Sequence, residues 1–332
     1  MFFGSDHFSV KTFEHLLKYK EKSNTLLDNV CVVTPPPKLN GRGLKVYAEA
    51  PLSVFAEQEG VPVFNTGYKS LTGWNIPSVI KDGSETKFDL AVVSSFGYFI
   101  PKRIIDKFSS GVINIHPSLL PKYRGASPIQ YTILNNDKIG GVSIQKIHPK
   151  VMDAGDILAQ RTIEIPKNIF RVELENMLAD LGGKLLIDTL QNYSGYQKSA
   201  IEQDSSKALY ASKIEKSFSK INWEKDTSSK IYDKHRAFGD RIPVRASFLH
   251  YSPPRNIQFM EIEYNHELSS STLDFPPGTI LFKGKNPDYL VVVCAEGTSI
   301  IVKRVKVDEK SEISAHEFVN GYHLKSNSKI FN

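Results

Sequence analysis

Three side chains in this sequence could together move a proton and hold a developing negative charge: Asn114, His116 and Asp153. Asn114 and His116 lie in the run Val112-Ile113-Asn114-Ile115-His116. Its alternation is that of a strand, and a period of two puts both polar residues on one face at the strand's end. A histidine there can exchange a proton near neutral pH, and an asparagine amide can donate to an oxygen that turns anionic in a transition state. Asp153 precedes Ala154-Gly155 in a turn between two strand-like runs, GGVSIQKIH and DILAQRTIEI. A carboxylate brought to the imidazole would favour its protonated form and fix its orientation. Asp156 is the rival partner, although an aspartate entering a strand more often caps the turn before it. An N-x-H pair has no specificity by itself, and a hydrogen-bonded polar pair beside a turn explains it equally well.

The elements that must position these groups are legible in the first two hundred residues. The runs FFG, VCVVT, VPVF, DLAVVSSFG and GVINIH alternate with helical segments that begin at TFEHLLKYKEK, the rhythm of a parallel α/β sheet. Apolar strand cores bounded by glycine and proline predict strands covered by helices on both faces, an open Rossmann-like sheet spanning residues 1–195. In such sheets ligands sit outside the carboxyl ends of the strands, which is where His116 falls. Ser127-Pro128-Ile129-Gln130 predicts a helix start, with a hydroxyl cap and proline at the first helical position. An amphipathic helix follows in FRVELENMLADLGGKLLIDTL, with Leu174, Met177, Leu178, Leu181 and Leu185 on its apolar side. The polar, aperiodic run NYSGYQKSAIEQDSS predicts a linker over residues 196–207. Residues 208–332 then give a helical part around Trp223 to Phe238 and the short strands PVRASFL, NIQFMEIE, PGTILF and YLVVVCAEGTSIIVKRVKV. That spacing predicts a small, OB-like β-barrel, so the fold class is α/β with a C-terminal barrel.

Composition agrees with two folded domains and excludes several classes of function. A length of 332 residues suggests about two domains, and 40% hydrophobic with 23% charged residues is a globular balance. The net charge of +6 is spread along the chain and is only a weak vote for a polyanionic partner. Cys31 and Cys294 sit in apolar runs, as buried strand residues would, and are too few for a disulfide framework. The nine histidines are scattered and HExxH is absent, so no metal is expected. GSDHFS lacks GxGxxG, and neither a Walker loop nor GxSxG occurs, which leaves proton and group transfer. No apolar run approaches the roughly 20 residues that cross a bilayer, and MFFGSDHF carries no targeting signal.

Taken together, N-x-H-x-S-L-L-P-x-x-x-G followed by D-x-G-D resembles the 10-formyltetrahydrofolate-dependent formyltransferases. The likeness continues through FFGSDHFS, NGRGLKV, SFGYFIP, GASPIQYTIL, LYASKIEKSFSKINW and PPGTI, nearly the whole chain. These further segments, and the second domain, point to the branch that formylates initiator methionyl-tRNA; the purine-pathway branch is a single domain. The resemblance implies that Asn114, His116 and Asp153 are the catalytic trio. It implies 10-formyltetrahydrofolate as a consumed co-substrate, with Ser118, Leu119, Leu120 and Pro121 as a folate loop and Phe96, Tyr98 and Ile100 as further wall. It implies tRNA contacts from the loop TPPPKLNGRGLKV through Lys38, Arg42 and Lys45, with Arg124 beside the active site and Lys303, Arg304 and Lys306 on a barrel strand. Cationic side chains on a glycine-containing loop suit phosphate, and a solvated loop is the plainer explanation for any one of them. A monomer without membrane attachment is expected, in the mitochondrial matrix or, alternatively, in a bacterial cytoplasm. The second domain departs from the R-A-F-N-P-W-P common in bacterial members, with Arg236-Ala237-Phe238-Gly239-Asp240-Arg241-Ile242-Pro243 in its place. Formylation of a small amine, hydrolysis of the folate and tRNA binding without chemistry are the competing expectations.

Overall fold

A computed structural model describes residues 1–22, 27–40, 46–67, 70–81, 84–264, 272 and 274–332. Arg42 and Lys45 therefore lie outside the described residues. The chain divides into two compact units, Met1–Thr132 with Asp137–Lys167 and Val172–Ser212, and Ile133–Asn136 with Asn168–Arg171 and Lys213–Asn332.

The first unit begins with β1 (Phe2–Gly4), α1 (His7–Lys20), β2 (Val32–Thr34), the hairpin β3 (Lys38–Asn40) and β4 (Val46–Ala48), α2 (Pro51–Gln58) and β5 (Val63–Asn65). A second hairpin, β6 (Val79–Lys81) and β7 (Ser84–Thr86), precedes β8 (Leu90–Ser94), α3 (Lys102–Ile105) and β9 (Gly111–His116). Then come α4 (Pro128–Leu134), β10 (Ile139–Lys146), β11 (Ile157–Glu164), α5 (Arg171–Gln191) and α6 (Tyr193–Lys198). One seven-stranded sheet runs in the order β11-β10-β9-β8-β1-β2-β5. Strands β9, β8, β1, β2 and β5 are parallel, whereas β10 and β11 run antiparallel. The parallel rhythm expected from the sequence thus ends at β9. The β10–β11 pair is joined by a turn that never crosses the sheet, so it can only be antiparallel. Phe2, Phe3, Val32, Val33 and Ala91 are fully buried, as strands covered on both faces require. Against that apolar background the polar end of β9 stands out.

Residues 196–207, expected as a linker, belong to the first unit. Ile201 exchanges backbone hydrogen bonds of 2.8 and 2.9 Å with Ile157. Farther along, Leu209 N–H donates to the Pro121 carbonyl at 3.2 Å, Arg124 N–H to Leu209 at 2.8 Å and Ala211 N–H to Arg124 at 2.7 Å. The segment is a strap laid along other backbone. Much of its bonding is main-chain, and none of it requires an apolar period, so the sequence pattern is blank.

The second unit contains α7 (Ser228–Phe238), β12 (Val244–Phe248), β13 (Arg255–Tyr264), β14 (Thr279–Leu281), β15 (Leu290–Val293), β16 (Ser299–Val307), β17 (Glu312–Ser314), α8 (Ala315–Gly321) and β18 (Ser328–Lys329). Its antiparallel order is β12-β13-β16-β15-β14-β18, with β17 beside β16. Beyond β18 the backbone returns to the first strand. Leu249 N–H donates to Ile330 at 2.9 Å, Ser247 N–H to Asn332 at 2.7 Å and Asn332 N–H back to Ser247 at 2.9 Å. These bonds close the sheet into a small barrel and leave no open edge on β12. Helix α7 starts five residues after Trp223, at a Thr227 cap whose hydroxyl accepts from Lys230 N–H at 3.5 Å. Trp223 instead fills the barrel core, stacked on Phe331 with ring centroids 5.9 Å apart. Both cysteines are fully buried, and burial pushes the Cys31 thiol up to about 11.

His235 on α7 gives this unit a pH-dependent stability. Its Nδ1 is buried without a partner, its ring meets Phe170 edge-on, and burial lowers its pKa from 6.5 to about 4. Between those values the unfolded chain takes up a proton that the folded unit refuses. Stability is therefore unaffected above the unfolded pKa and falls as pH drops toward the folded one, by roughly 3 kcal/mol. In urea titrations at pH 7 and pH 4.5, His235→Leu is expected to lose less stability on acidification than the parent. Equal losses would remove His235 from the explanation.

Candidate active site

Strand β9 delivers Asn114 and His116 to its carboxyl end, and β10 pairs beside it with Gln145 opposite Asn114 and Ser143 opposite His116. His116 is 5% exposed, and its Nε2 lies 2.8 Å from the Tyr123 carbonyl oxygen. A carbonyl only accepts, so Nε2 carries the proton. That leaves Nδ1, 3.6 Å from Asp153 Oδ1, as the nitrogen that can gain or lose one. Asn114 Nδ2 donates to the same Oδ1 at 3.4 Å, Gln145 Nε2 donates to it at 3.0 Å, and Gly125 N–H donates to Oδ2 at 2.9 Å. Asp153 is thus the hub that gathers the strand end and the loop beyond it. Asp156 is turned elsewhere and pairs with Lys146 at 3.2 Å.

The backbone that carries Asp153 is unusual, and its neighbours explain how it is held. Asp153 has φ +54°, a left-handed conformation seldom adopted outside glycine, asparagine and aspartate. A Cβ on Gly155 would collide with the Lys146 carbonyl oxygen, so only glycine lets the turn close this tightly. His148 Nδ1 accepts from Lys150 N–H at 3.2 Å and Val151 N–H at 2.9 Å, ordering the approach to the turn. On the facing loop Gly125 has φ +119°, and a Cβ there would lie 2.7 Å from the Ala211 carbonyl.

The expected folate loop divides into two kinds of residue. Ser118 and Leu120 are 2% and 3% exposed. Ser118 Oγ donates to the Lys122 carbonyl at 2.6 Å, Leu120 N–H donates to Ser143 Oγ at 3.0 Å, and the Leu120 carbonyl accepts from Gln160 at 2.9 Å. Their polar groups are spent on building the loop. Leu119 and Pro121 are only partly buried. Phe96 and Ile100, also expected on the wall, lie in the core cluster of Met1, Phe3 and Val93, and Tyr98 packs partly buried against it. The apolar character that suggested a ring-binding surface at Phe96 and Ile100 serves the core of the unit.

The cations fare unequally. Lys38 is exposed on β3. Arg124 is 3% exposed, and its guanidinium Nε donates to Gln203 Oε1 at 3.0 Å. Its guanidinium is thus buried and tied to an uncharged partner. Lys303 pairs with Glu263 and, at 3.8 Å, with Glu261, while Arg304 pairs with Glu312. These carboxylates hold both cations well within their charged range and offset the field they would present to phosphate. Lys306 lies on the same strand.

Sequence reasoning missed Gln145 and Gln203. The signal for Gln145 was available: Ser143 and Gln145 alternate with Val142 and Ile144 in a strand that turns out to be buried, so two polar residues share a face with no water to satisfy them. No signal marks Gln203, which lies in the aperiodic strap. A cavity of about 500 Å³ opens near the carboxyl ends of β2 and β5, lined by Pro36, Pro37, Tyr47, Glu49, Thr66 and Gly67. Counted across β8 and β1 it is three strand spacings, roughly 14 Å, from β9. Among the described residues no group of His, Cys, Asp or Glu could hold a metal ion, and no helix is long and apolar enough to cross a membrane.

Known proteins resemble this chain along both units. Residues 1–190 match the formyl transferase family and residues 213–323 match the formyl transferase C-terminal domain. The chain is 33% identical to the mitochondrial methionyl-tRNA formyltransferase of Homo sapiens, over 97% of this chain and 77% of that protein. It is 31% identical to the methionyl-tRNA formyltransferase of Acetivibrio thermocellus over 97% and 96% of the two chains, and 30% identical to that of Rickettsia bellii over 99% of each. Among solved structures, the sugar 3N-formyl transferase WlaRD, crystallised with dTDP and 5-N-formyl-THF, superposes with a TM-score of 0.56 at 20% identity, over 93% of this chain and 97% of that one. HypX from Aquifex aeolicus, in complex with tetrahydrofolic acid, gives a TM-score of 0.54 at 16% identity over 72% of this chain, which spans 39% of HypX. These last two likenesses concern the fold alone. The matches to both family domains, together with the curated relatives along nearly the full chain, establish that this chain belongs to the formyl transferase family.

Proposed function

We propose that this enzyme transfers the formyl group of 10-formyltetrahydrofolate to the α-amino group of initiator methionyl-tRNA. The observation that carries the reading is the convergence of Asn114 and His116 on Asp153 Oδ1, in a chain that methionyl-tRNA formyltransferases match over 97% of its length. The α-amino nitrogen attacks the formyl carbon and the carbonyl oxygen becomes anionic. The Asn114 amide donates to that oxyanion. His116, held by Tyr123 and Asp153, takes the proton lost by the amine through Nδ1 and supplies one to N10 of the folate as the C–N bond breaks. Formyl-methionyl-tRNA and tetrahydrofolate leave. The folate is a co-substrate, with Leu119, Pro121 and Tyr98 remaining as candidates for its apolar wall.

For the tRNA, Lys38 on β3 together with Arg42 and Lys45 of the sequence run TPPPKLNGRGLKV is the first candidate track, and Lys306 in residues 208–332 a second. Relatives at similar identity are mitochondrial and bacterial, and the mitochondrial matrix is the compartment we assign, to a monomer that initiates organelle translation. Purified protein mixed with charged initiator tRNA and the folate donor is expected to yield formyl-methionyl-tRNA, and no product without tRNA. Failure to form product, or equal formylation of free methionine, defeats the assignment. If phosphates are tracked, affinity for tRNA should fall steeply as salt is raised, and a flat response would remove the cationic track.

A further inference from the structure

We infer that Arg124, Gln203 and Gln145 form a one-directional hydrogen-bond relay that positions the Asp153 carboxylate, making both glutamines positioning residues for formyl transfer. The inference rests on the proposed role of Asp153. Arg124 can only donate, and its Nε is 3.0 Å from Gln203 Oε1, which fixes that amide's orientation. Gln203 Nε2 must then donate, and its two hydrogens are shared among three acceptors: Gln145 Oε1 at 3.1 Å, the Asp153 carbonyl at 3.0 Å and the Gly155 carbonyl at 2.7 Å. With its oxygen so occupied, Gln145 turns its Nε2 to Asp153 Oδ1 at 3.0 Å. Arg124, Gln203 and Gln145 are 3%, 7% and 1% exposed, so each polar atom depends on the next.

The relay does two things that the trio cannot do alone. Gln203 holds the backbone that leaves the left-handed Asp153, through the carbonyls of Asp153 and Gly155, and so keeps a conformation that a free turn would leave. Gln145 fixes Oδ1, the oxygen shared by Asn114 and His116, so all three depend on one amide for alignment. Its origin in the strap of residues 201–211 also explains why that polar segment lies over the loop after β9. Ionisable groups near Asp153 include His116 from β9, Arg124 from the following loop, His148 on the approach to the turn, and the Lys146–Asp156 pair at the β10–β11 turn.

Gln145→Leu and Gln203→Leu are expected to lower kcat on the order of 10²-fold, the penalty of a small misplacement in a catalytic group, while KM for both substrates stays within about twofold. Gln145→Glu tests the alignment itself. The carboxylate keeps the size of the glutamine but cannot donate to Asp153 Oδ1, so kcat should fall as in Gln145→Leu while both KM values hold. A merely structural role would lower the folded fraction and leave kcat per folded molecule unchanged. Unchanged kcat in the leucine variants, or a parent-like kcat in Gln145→Glu, overturns the relay. A wild-type protein that forms no formyl-methionyl-tRNA overturns the functional reading instead, and freely exchanging side-chain amide protons of Gln145 and Gln203, followed by NMR, would still overturn the relay.

Discussion

Replacing His116 by glutamine is expected to reduce kcat for formyl-methionyl-tRNA synthesis by about 10²–10⁴-fold, the usual contribution of a positioned proton carrier. Glutamine can still donate to the Tyr123 carbonyl, so the loop after β9 keeps its anchor and the loss is confined to proton transfer. Affinity for tRNA should not change, because the site is buried at 5% exposure and the cationic candidates lie on other elements. Asn114→Ala should cost about 10²–10³-fold by removing an oxyanion donor. The double variant is expected to lose much less than the product of the two, because both residues are aligned on Asp153 Oδ1 and act as a unit. Single-turnover assays with saturating folate donor measure all three. A His116→Gln enzyme with more than half the parent rate would exclude the imidazole as the proton carrier, and full multiplicativity would show that Asn114 and His116 work independently.

How much of this was legible in the residues depends on the kind of interaction that holds each part. The strands around β9 were plain because buried parallel strands are written as continuous apolar runs, and two polar residues at the end of such a run have few reasons to be there. Asp153 was legible through its turn, since an aspartate before a small residue and a glycine can take the left-handed backbone that the structure gives it. The antiparallel switch at β10 was not, because strand direction is fixed by connection geometry and leaves no trace in side-chain period. The burial of Arg124 was not legible for a physical reason: its charge suggests solvent, while Gln203, an uncharged partner nearly eighty residues on, keeps it buried. The strap failed for the complementary reason. Main-chain bonds leave most of its side chains unspecified, and Gln203 alone carries no periodic signal, so composition suggested a linker where the fold has a fastening.

In the second unit the largest effect on stability is expected at Arg236, the first residue of the segment that departs from the bacterial pattern. Its side chain is 4% exposed, and Nη2 donates to Asp233 Oδ1 at 2.6 Å and to Asn136 Oδ1 at 2.9 Å, while Nη1 donates to the Ile169 carbonyl at 2.9 Å. Asn136 Nδ2 also donates to Asp233 Oδ2 at 2.6 Å, so Asp233 keeps one neutral partner if the arginine is lost. That is too little for a carboxylate exposed by only 7%. Arg236→Met preserves much of the volume and strands the charge, and about 3–5 kcal/mol of the unit's stability should go with it. Asp233→Leu in the same chain should restore much of the loss, because a buried pair replaced by apolar side chains no longer bears the desolvation penalty of either ion. Trp223, stacked on Phe331 in the barrel core, reports this unit's unfolding by fluorescence once Trp74 is changed to phenylalanine. If Arg236→Met unfolds at the parent's denaturant midpoint, Asp233 has found water or another donor and the cluster is not what holds α7 in this unit. If the double variant is no more stable than the single one, the loss comes from the broken bond to Ile169, and the stranded carboxylate is not its cause.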